Sequence, residues 1–424
     1  MQSGLDIEKG RYYRYSVFGI ISLTYVMVYF HRMCPAVIAV DIQDYFEVSG
    51  TLLGLMSSAY FYPYAIMQLP VGLLVDSWGP RKTVSLFLIL AALGSAMMGL
   101  TSIFGLAIVG RVLVGIGVST VFVSNYKLLT EWFEPRKFAT MGGIFMAMGG
   151  IGVLLSTAPL AWVSNLIGWR MTFVVVGLVS LVMAFVVYRF VFDRPTDRGL
   201  PAIDSSREDQ TSTKVSILQG LKMVLTERRF WPIAAWSFFV VGIFFALAGL
   251  WGGPFLMHVY GLSKTGAGAV LSMSAVGLVV GSPFLGIMSN RFGRKPVLIG
   301  SNLLLIMVCG VFYLFTDRLP HSLLYVFFFF LCLSSTALAP VIVAYTKELF
   351  PFGVAGTSVG LVNLFPFLGG PFYQVIFGAV LSGGAKDSSV YPVTSYQDVF
   401  LICLVSAMIS MLIALLFKET LPRE

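Results

Sequence analysis

The chain has 424 residues, of which 57% are hydrophobic and 11% are charged, and its formal net charge at pH 7 is +8. This small number of charged residues cannot cover the surface of a soluble globular protein of this length. The composition therefore indicates a protein of the lipid bilayer. The four cysteines lie inside apolar segments without metal-ligand spacing, and we expect no disulfide, metal site or cofactor.

Twelve apolar segments follow one another along the chain, each close to the roughly 20 residues that a helix needs to cross the hydrocarbon. We therefore predict an all-α membrane protein with twelve transmembrane helices. The segments are 14–40, 52–75, 83–101, 104–127, 138–162, 170–192, 230–257, 265–289, 296–315, 322–346, 354–381 and 396–417.

The longest polar stretch, 193–229, lies between the sixth and seventh segments. It predicts a linker between an N-terminal six-helix bundle, residues 1–192, and a C-terminal six-helix bundle, residues 230–424. Within the linker, residues 215–226 carry apolar side chains at helical spacing. A helix along the membrane surface and a solvated tether both fit that pattern.

The positive charges are distributed unevenly between the two sides of the predicted helices. Four of the 28 Lys and Arg fall in loops of one side and two fall inside helices, while the other 22 fall on the opposite side. This bias predicts that both termini lie in the cytoplasm, in a multi-pass inner-membrane protein, and it gives no support to a nucleic-acid partner. The four are Arg170, Lys264, Arg318 and Lys386.

A short motif occurs twice in the chain, and each residue of the second copy lies 214 residues after its equivalent in the first. Gly286, for example, is the equivalent of Gly72. The motif lies after the second and the eighth segment, and the register of the repeat extends upstream, where Ser49 maps onto Ser263. The duplicated unit is therefore several helices long. The first copy is Gly72, Asp76, Gly79 and Arg81, and the second is Gly286, Asn290, Gly293 and Lys295.

Glycine permits a tight turn at each copy, while Asp76 and Arg81 can cap helix ends and pair with each other or with a neighbouring helix. Such a pair would act as a latch on the cytoplasmic side. Because Asn290 replaces the acid in the second copy, the pattern gives weaker support for a charge latch there. A charged turn that merely follows the positive-inside bias is the alternative interpretation.

These residues resemble the signature of the major facilitator superfamily, and Arg111 followed by Gly115 and Gly117 resembles a second signature in its fourth helix. The resemblance covers essentially the whole chain and implies two pseudo-symmetric six-helix bundles, a central substrate cavity and alternating access by rocking of one bundle against the other. The drug-antiporter signature in helix five, a glycine run ending in Gly-Pro, is missing, because no proline follows Gly152 before Pro159.

Two arginines lie inside predicted helices, Arg32 roughly 14 Å and Arg111 roughly 10 Å below the outer boundary at the rise of a helix. A central arginine costs on the order of 3 kcal/mol, so each must face water or a partner. All 20 acidic residues fall near helix ends or in loops. A binding site for an anion would explain both buried arginines, because a guanidinium group forms paired hydrogen bonds with a carboxylate or phosphate. The alternative is that backbone carbonyls and water hold each arginine for structural reasons.

The string from Arg32 to Ile42 resembles the first helix of the anion:cation symporter branch of the superfamily. That resemblance implies that Arg32 and Arg111 bind the carboxylate of the substrate. Where the branch often has acids, this chain has His31 and Val118. His31 can change charge near neutral pH, so we expect it to couple protons to transport; a hydrogen bond to a neighbouring helix is the alternative.

Polar and aromatic groups in helices that would face the cavity complete the predicted substrate site. Aligning Pro35 with Pro254 places Trp251 near the counterpart of Arg32. Tyrosines near helix ends can instead be interface anchors. The predicted substrate-binding residues are Arg32, Arg111, Tyr29, Tyr60, Tyr64, Gln68, Trp251 and Asn363.

The function predicted from these residues is secondary active import of a small organic anion or zwitterion, such as a carboxylate, sugar acid, amino acid or short peptide. We expect protons and the lipid bilayer as partners and a monomer as the working form. A drug or metabolite exporter with proton antiport is the alternative. The sequence has no nucleotide loop, metal cluster or nucleophile-base pair, which argues against a membrane enzyme or receptor-like sensor and leaves no catalytic residue to name.

Overall fold

The computed structural model describes residues 2–200, 217–338, 340–351, 354–384 and 390–420. Over these ranges the chain is helical and has no β-strand, and ten of its helices are long and apolar enough to cross a membrane. A shorter apolar helix, Thr140–Leu155, lies in the predicted fifth segment. The predicted all-α membrane fold is confirmed.

The helices of the first half follow the predicted segments in order. They are α1 (Gln2–Met33), α2 (Pro35–Phe46), α3 (Gly50–Ser58), α4 (Phe61–Trp78), α5 (Pro80–Leu100), α6 (Phe104–Val118), α7 (Thr120–Trp132), α8 (Pro135–Leu155) and α9 (Ala158–Phe190).

The second half begins with a short helix and continues with the remaining segments. Its helices are α10 (Ile217–Thr226), α11 (Phe230–Ala246), α12 (Gly252–His258), α13 (Lys264–Phe292), α14 (Arg294–Leu314), α15 (His321–Ser335), α16 (Ile342–Leu349), α17 (Ala355–Gly384) and α18 (Val393–Leu415).

Several predicted spans are broken inside the membrane rather than continuous. The first span breaks at Cys34, where Pro35 begins α2, because proline cannot donate the backbone hydrogen bond that would continue the helix. The seventh span passes through a π-helical turn, Leu247–Trp251, between α11 and α12. Such interruptions release backbone groups for contacts with neighbouring helices.

The upstream register of the repeat is visible in helix capping. The hydroxyl of Ser49 accepts a hydrogen bond from Leu52 N at 3.4 Å and caps α3. At the equivalent place, the hydroxyl of Ser263 accepts from Gly266 N at 3.1 Å and caps α13. The duplication therefore preserves the local signal that starts each helix.

The backbone contacts divide the chain into two compact units. Unit 1 comprises the described residues of Met1–Arg32, Pro63–Val153 and Val163–Thr211; unit 2 comprises those of Met33–Tyr62, Leu154–Trp162 and Ser212–Glu424. In each unit we call the end that carries Gly79 or Gly293 the motif side and the opposite end the far side. The boundaries of the predicted bundles, 1–192 and 230–424, and of the linker, 193–229, stay a prediction.

Unit 2 contains far-side segments of the first half packed tightly on helices of the second. A Cβ added at Gly253 would collide with the carbonyl oxygen of Ala36, and one at Gly54 with that of Gln374. Small residues permit this close backbone approach between membrane helices. The contact is closed by an ion pair in which Lys264 Nζ lies 2.7 Å from Asp41 Oδ1.

Candidate functional site

Arg32 lies in the last turn of α1 and is only 2% exposed. Its guanidinium carbon lies 4.6 Å from the ring centroid of Tyr29 and 5.0 Å from that of Tyr64. Tyr29 precedes it by almost one helical turn, and Tyr64 comes from α4. Two aromatic faces therefore hold the cation by cation–π attraction, which strengthens as water is excluded.

Arg111 lies on α6 and is fully buried. Its Nη1 donates a hydrogen bond of 2.9 Å to the main-chain carbonyl of His31. In a continuous helix that carbonyl would accept from the residue four positions later, but that residue is Pro35, which has no N–H. The break after α1 therefore creates the acceptor that joins α6 to α1, and it brings Arg111 to the residue next to Arg32.

The alternative to an anion site was that backbone carbonyls and water hold each arginine, and this hydrogen bond is a contact of that kind. It uses one of the five N–H donors of the Arg111 guanidinium. The side chain of His31 is fully buried and lies within range of the charge of Arg111. Two cations and an ionisable imidazole thus share one small region of unit 1. Gln68 lies one turn beyond Tyr64 and donates from Nε2 to its carbonyl at 3.3 Å.

The support behind Tyr29 was not predicted. The ring of Tyr25 meets the ring of Tyr29 edge to face at 5.3 Å, and it stacks on Phe145 of α8 at 4.0 Å. A Cβ at Gly149 would lie 2.8 Å from the Tyr29 ring, so this glycine leaves room for it. The signal in the sequence that could have indicated this support was the glycine run in helix five.

The other predicted residues, Tyr60, Trp251 and Asn363, belong to unit 2. Tyr60 is fully buried between α3 and α4. Trp251 is also fully buried, and its Nε1 donates to the carbonyl of Gln374 at 2.9 Å. This bond gives Trp251 a structural task in the broken helix, and Asn363 is half-buried in α17. Their part in substrate binding stays a prediction.

The first motif copy ties α4, α5, α7 and α9 together on the motif side of unit 1. The carboxylate of Asp76 forms an ion pair with Lys127 of α7. Arg81 donates from Nε to the carbonyl of Tyr188 at 2.6 Å, and its backbone N–H donates to Asp193 Oδ1 at 2.7 Å. The two charged residues of this copy thus hold separate partners.

Gly79 adopts a φ of 81°, and a Cβ there would collide with the Asp193 carboxylate. Glycine is therefore required twice at this position, for the left-handed conformation and for the close approach of the carboxylate to the start of α5. Gly72 has no atom within 4 Å of where its Cβ would lie. The turn at Gly79 matches the prediction, while the capping carboxylate was missed.

The second motif copy builds a similar arrangement in unit 2 from other residues. Gly293 has a φ of 103°, and the Glu419 carboxylate accepts from the backbone N–H of Arg294 at 2.9 Å. The Arg294 guanidinium bonds to Asn290 Oδ1 at 2.7 Å and to Glu348 Oε1 at 2.8 Å. Arg294 and Glu348 were not among the predicted latch residues, because they lie outside the repeated pattern.

The remaining members of the second copy have different surroundings. Lys295 donates from Nζ to the carbonyl of Leu415 at 2.8 Å, which joins α14 to α18. The Cβ position of Gly286 lies 3.3 Å from Pro340. Both motif loops thus tie the start of one helix to the end of the last helix of the same half.

Comparisons with known proteins agree with this architecture. The hexuronate transporter of Escherichia coli K12 is 22% identical over 387 residues, which cover 87% of each chain. The D-galactonate transporter of E. coli O6:H1 is 24% identical over 410 residues, 89% of this chain and 92% of the relative. Both relatives agree with the resemblance to the anion:cation symporter branch.

Among solved structures, a bacterial homologue of the human lysosomal transporter Spinster, crystallised inward-facing and unoccupied, superposes with a TM-score of 0.73 at 18% identity. The alignment covers 95% of this chain and 96% of that structure. The sequence profile of the Major Facilitator Superfamily matches residues 21–263 and 249–424. The chain is therefore a multi-pass membrane transporter rather than an enzyme, and it belongs to the Major Facilitator Superfamily.

Proposed function

We propose that this chain is a secondary active importer of a small organic anion of the sugar-acid class, driven by protons. The observation that carries the proposal is the pair of buried arginines in unit 1, joined through the main chain of His31. Sugar acids are what the hexuronate and D-galactonate transporters carry by name.

The chemistry of the pair favours a carboxylate. Two guanidinium groups in a low-dielectric region repel each other, and an anion between them removes that repulsion and gains charge-assisted hydrogen bonds. Tyr29 and Tyr64 fix the orientation of the Arg32 guanidinium, so little conformational entropy is lost when a ligand binds. Gln68 is suited to the hydroxyl groups of a sugar acid. The whole arrangement would accept a carboxylate at one end and a polyol chain beside it.

His31 supplies the proposed coupling to protons. A proton on its imidazole adds positive charge beside Arg111, and a bound anion offsets that charge. Anion binding and proton binding then favour each other, and linkage makes the effect reciprocal. Mutual stabilisation of this kind produces symport.

Alternating access would require the far-side contacts of unit 2 to separate. The ion pair between Asp41 and Lys264 and the glycine contacts around Gly253 are the interactions to be broken. We propose that the motif side is cytoplasmic, that the protein works as a monomer in the inner membrane, and that bundle rocking exposes the site to each side in turn. No contact described above favours the alternative, a drug exporter.

Uptake of radiolabelled galactonate or glucuronate into proteoliposomes with an imposed pH gradient tests the proposal. Accumulation should require the gradient and vanish in Arg32→Gln and Arg111→Gln. Arg318→Gln removes an exposed far-side charge and serves as the matched control, with uptake unchanged. His31→Gln should leave exchange of bound anion intact while abolishing gradient-driven accumulation. Gradient-driven expulsion of cationic dyes without anion uptake would refute the importer.

A further inference from the structure

A groove of about 810 Å³ lies on the surface of unit 1 between α5 and α9. The two helices touch closely at Gly177, where an added Cβ would lie 2.9 Å from the carbonyl oxygen of Ala92. The groove lies on the motif side of this contact. At the end of the groove, Arg81 bridges the helices by its hydrogen bond to Tyr188.

The shape of the groove follows from the sizes of its side chains. Its floor is formed by two small buried residues, Ser85 and Ala184. Its walls are large exposed residues, Leu86 from α5 and Phe185 from α9. An apolar groove with small buried residues at its floor and large exposed residues beside them fits an acyl chain aligned with the helices.

The rim of the groove on the motif side has a different chemistry. Trp78 and Tyr188 lie there, and such rings prefer the level of the lipid headgroups. Lys82 also lines the groove and is exposed. Arg81 is engaged with Tyr188, whereas Lys82 makes no ion pair with any carboxylate of the described residues. Its ammonium group is positioned to meet a phosphate at the membrane surface.

The second copy of the repeat lacks both features at the equivalent positions. At the offset of 214 residues, Pro296 occurs where the first copy has Lys82, and Ile299 occurs where it has Ser85. A proline removes the charge, and an isoleucine raises the floor. The charged rim residue and the small floor residue from α5 therefore occur in the first copy of the repeat and are not repeated in the second.

We propose that this groove binds one anionic phospholipid, with an acyl chain along Ser85 and Ala184 and the phosphate at Lys82. A bilayer lipid is the occupant that combines both parts, because the apolar channel opens to the hydrocarbon and the charge lies at its rim. The lipid contacts both α5 and α9 beside the Arg81 bridge, so it braces the motif loop of unit 1.

Quenching of Trp78 by brominated lipids tests the site directly. The protein is reconstituted in phosphatidylcholine bilayers with increasing brominated phosphatidylglycerol or, separately, brominated phosphatidylcholine. Since the chain has seven tryptophans, the signal of Trp78 is taken as the difference between the wild type and Trp78→Phe. Phosphatidylglycerol should quench it at several-fold lower mole fraction than phosphatidylcholine.

Two variants separate the parts of the proposal. Lys82→Gln should lower the preference for phosphatidylglycerol about fivefold, the effect of one basic residue at a membrane surface. Ala184→Leu should fill the floor and reduce quenching by both lipids. Arg291→Gln, an exposed motif-side charge of the other unit, should keep the preference. Equal quenching by the two lipids in the wild type, or a preference that survives Lys82→Gln, would overturn the site.

Discussion

The two motif loops reach the same arrangement with different residues. In unit 1 a carboxylate from beyond α9, Asp193, caps α5 against Gly79. In unit 2 a carboxylate from beyond α18, Glu419, caps α14 against Gly293. The two acids do not lie at the offset of the repeat. Both copies of the repeat therefore keep a glycine turn at the start of a helix. The acid that caps this helix comes from a different, non-equivalent position in each half.

The charges around the loops differ in burial. The Asp76 side chain that pairs with Lys127 is 73% exposed, whereas the Arg294 and Glu348 side chains are 9% and 31% exposed. Ion pairs at the surface contribute little to stability, while breaking a buried pair leaves a charge without compensation. The second copy, which has Asn290 in place of the acid, thus has the more buried ion pair.

The largest loss of stability should come from breaking the more buried of the two ion pairs. Arg294→Ala removes the partner of Glu348 and the guanidinium hydrogen bonds to Ser289 and Asn290 from a buried position, so we expect a loss of about 3 kcal/mol of stability. Lys127→Ala should cost less than about 1 kcal/mol, because Asp76 stays hydrated. Thermal unfolding in detergent measures both. Equal losses would contradict the comparison.

A smaller loss should follow from Gly79→Ala. The added Cβ meets the Asp193 carboxylate in a left-handed backbone conformation, so we expect about 2 kcal/mol of destabilisation. Gly72→Ala is the matched control from the same motif, because the Cβ would enter open space. If both variants unfold at the same temperature, the capping account of the motif is wrong.

The smallest effect concerns the pH dependence of Asp193. Burial raises the pKa of this carboxyl above its ordinary value, although the hydrogen bond from Arg81 opposes the shift. A raised pKa means that the folded protein binds the proton more tightly than the unfolded chain. The contribution of Asp193 is therefore greatest below its unfolded pKa and is lost as the pH rises through the folded value.

Asp193→Asn keeps an oxygen acceptor for Arg81 but does not titrate. The stability of the wild type relative to this variant should increase as the pH is lowered from neutral, and unfolding midpoints over that range measure it. A relative stability that falls on acidification would show that the hydrogen bond outweighs the effect of burial.

The fold could be predicted because it depends on local signals. Apolar length identified the spans, and the repeat paired Ser49 with Ser263, which both cap helix starts in the structure. The capping acids could not be predicted, because a non-helical segment after the last helix of each half can present its acid from more than one position. Only the folded backbone places Asp193 and Glu419 at the glycine turns.

The charged residues of the candidate site could be predicted from the sequence, but the contacts that hold them could not. Arg32 and Arg111 were identifiable because arginine inside a membrane helix is costly. The bond from Arg111 to His31 needed the proline break and the neighbouring helix together. The placement of Tyr29 depends on space left by Gly149, which sequence periodicity does not reveal.

The central claim is that the two buried arginines of unit 1 form an anion site. Its most direct test is equilibrium binding of glucuronate and of glucose, which differ in the carboxylate, to the purified protein. We predict that glucuronate binds, that glucose does not compete with it, and that Arg32→Gln and Arg111→Gln each lose binding while the purified variants still unfold in one cooperative transition. Binding of glucose as tightly as glucuronate, or glucuronate binding that survives both substitutions, would contradict the claim.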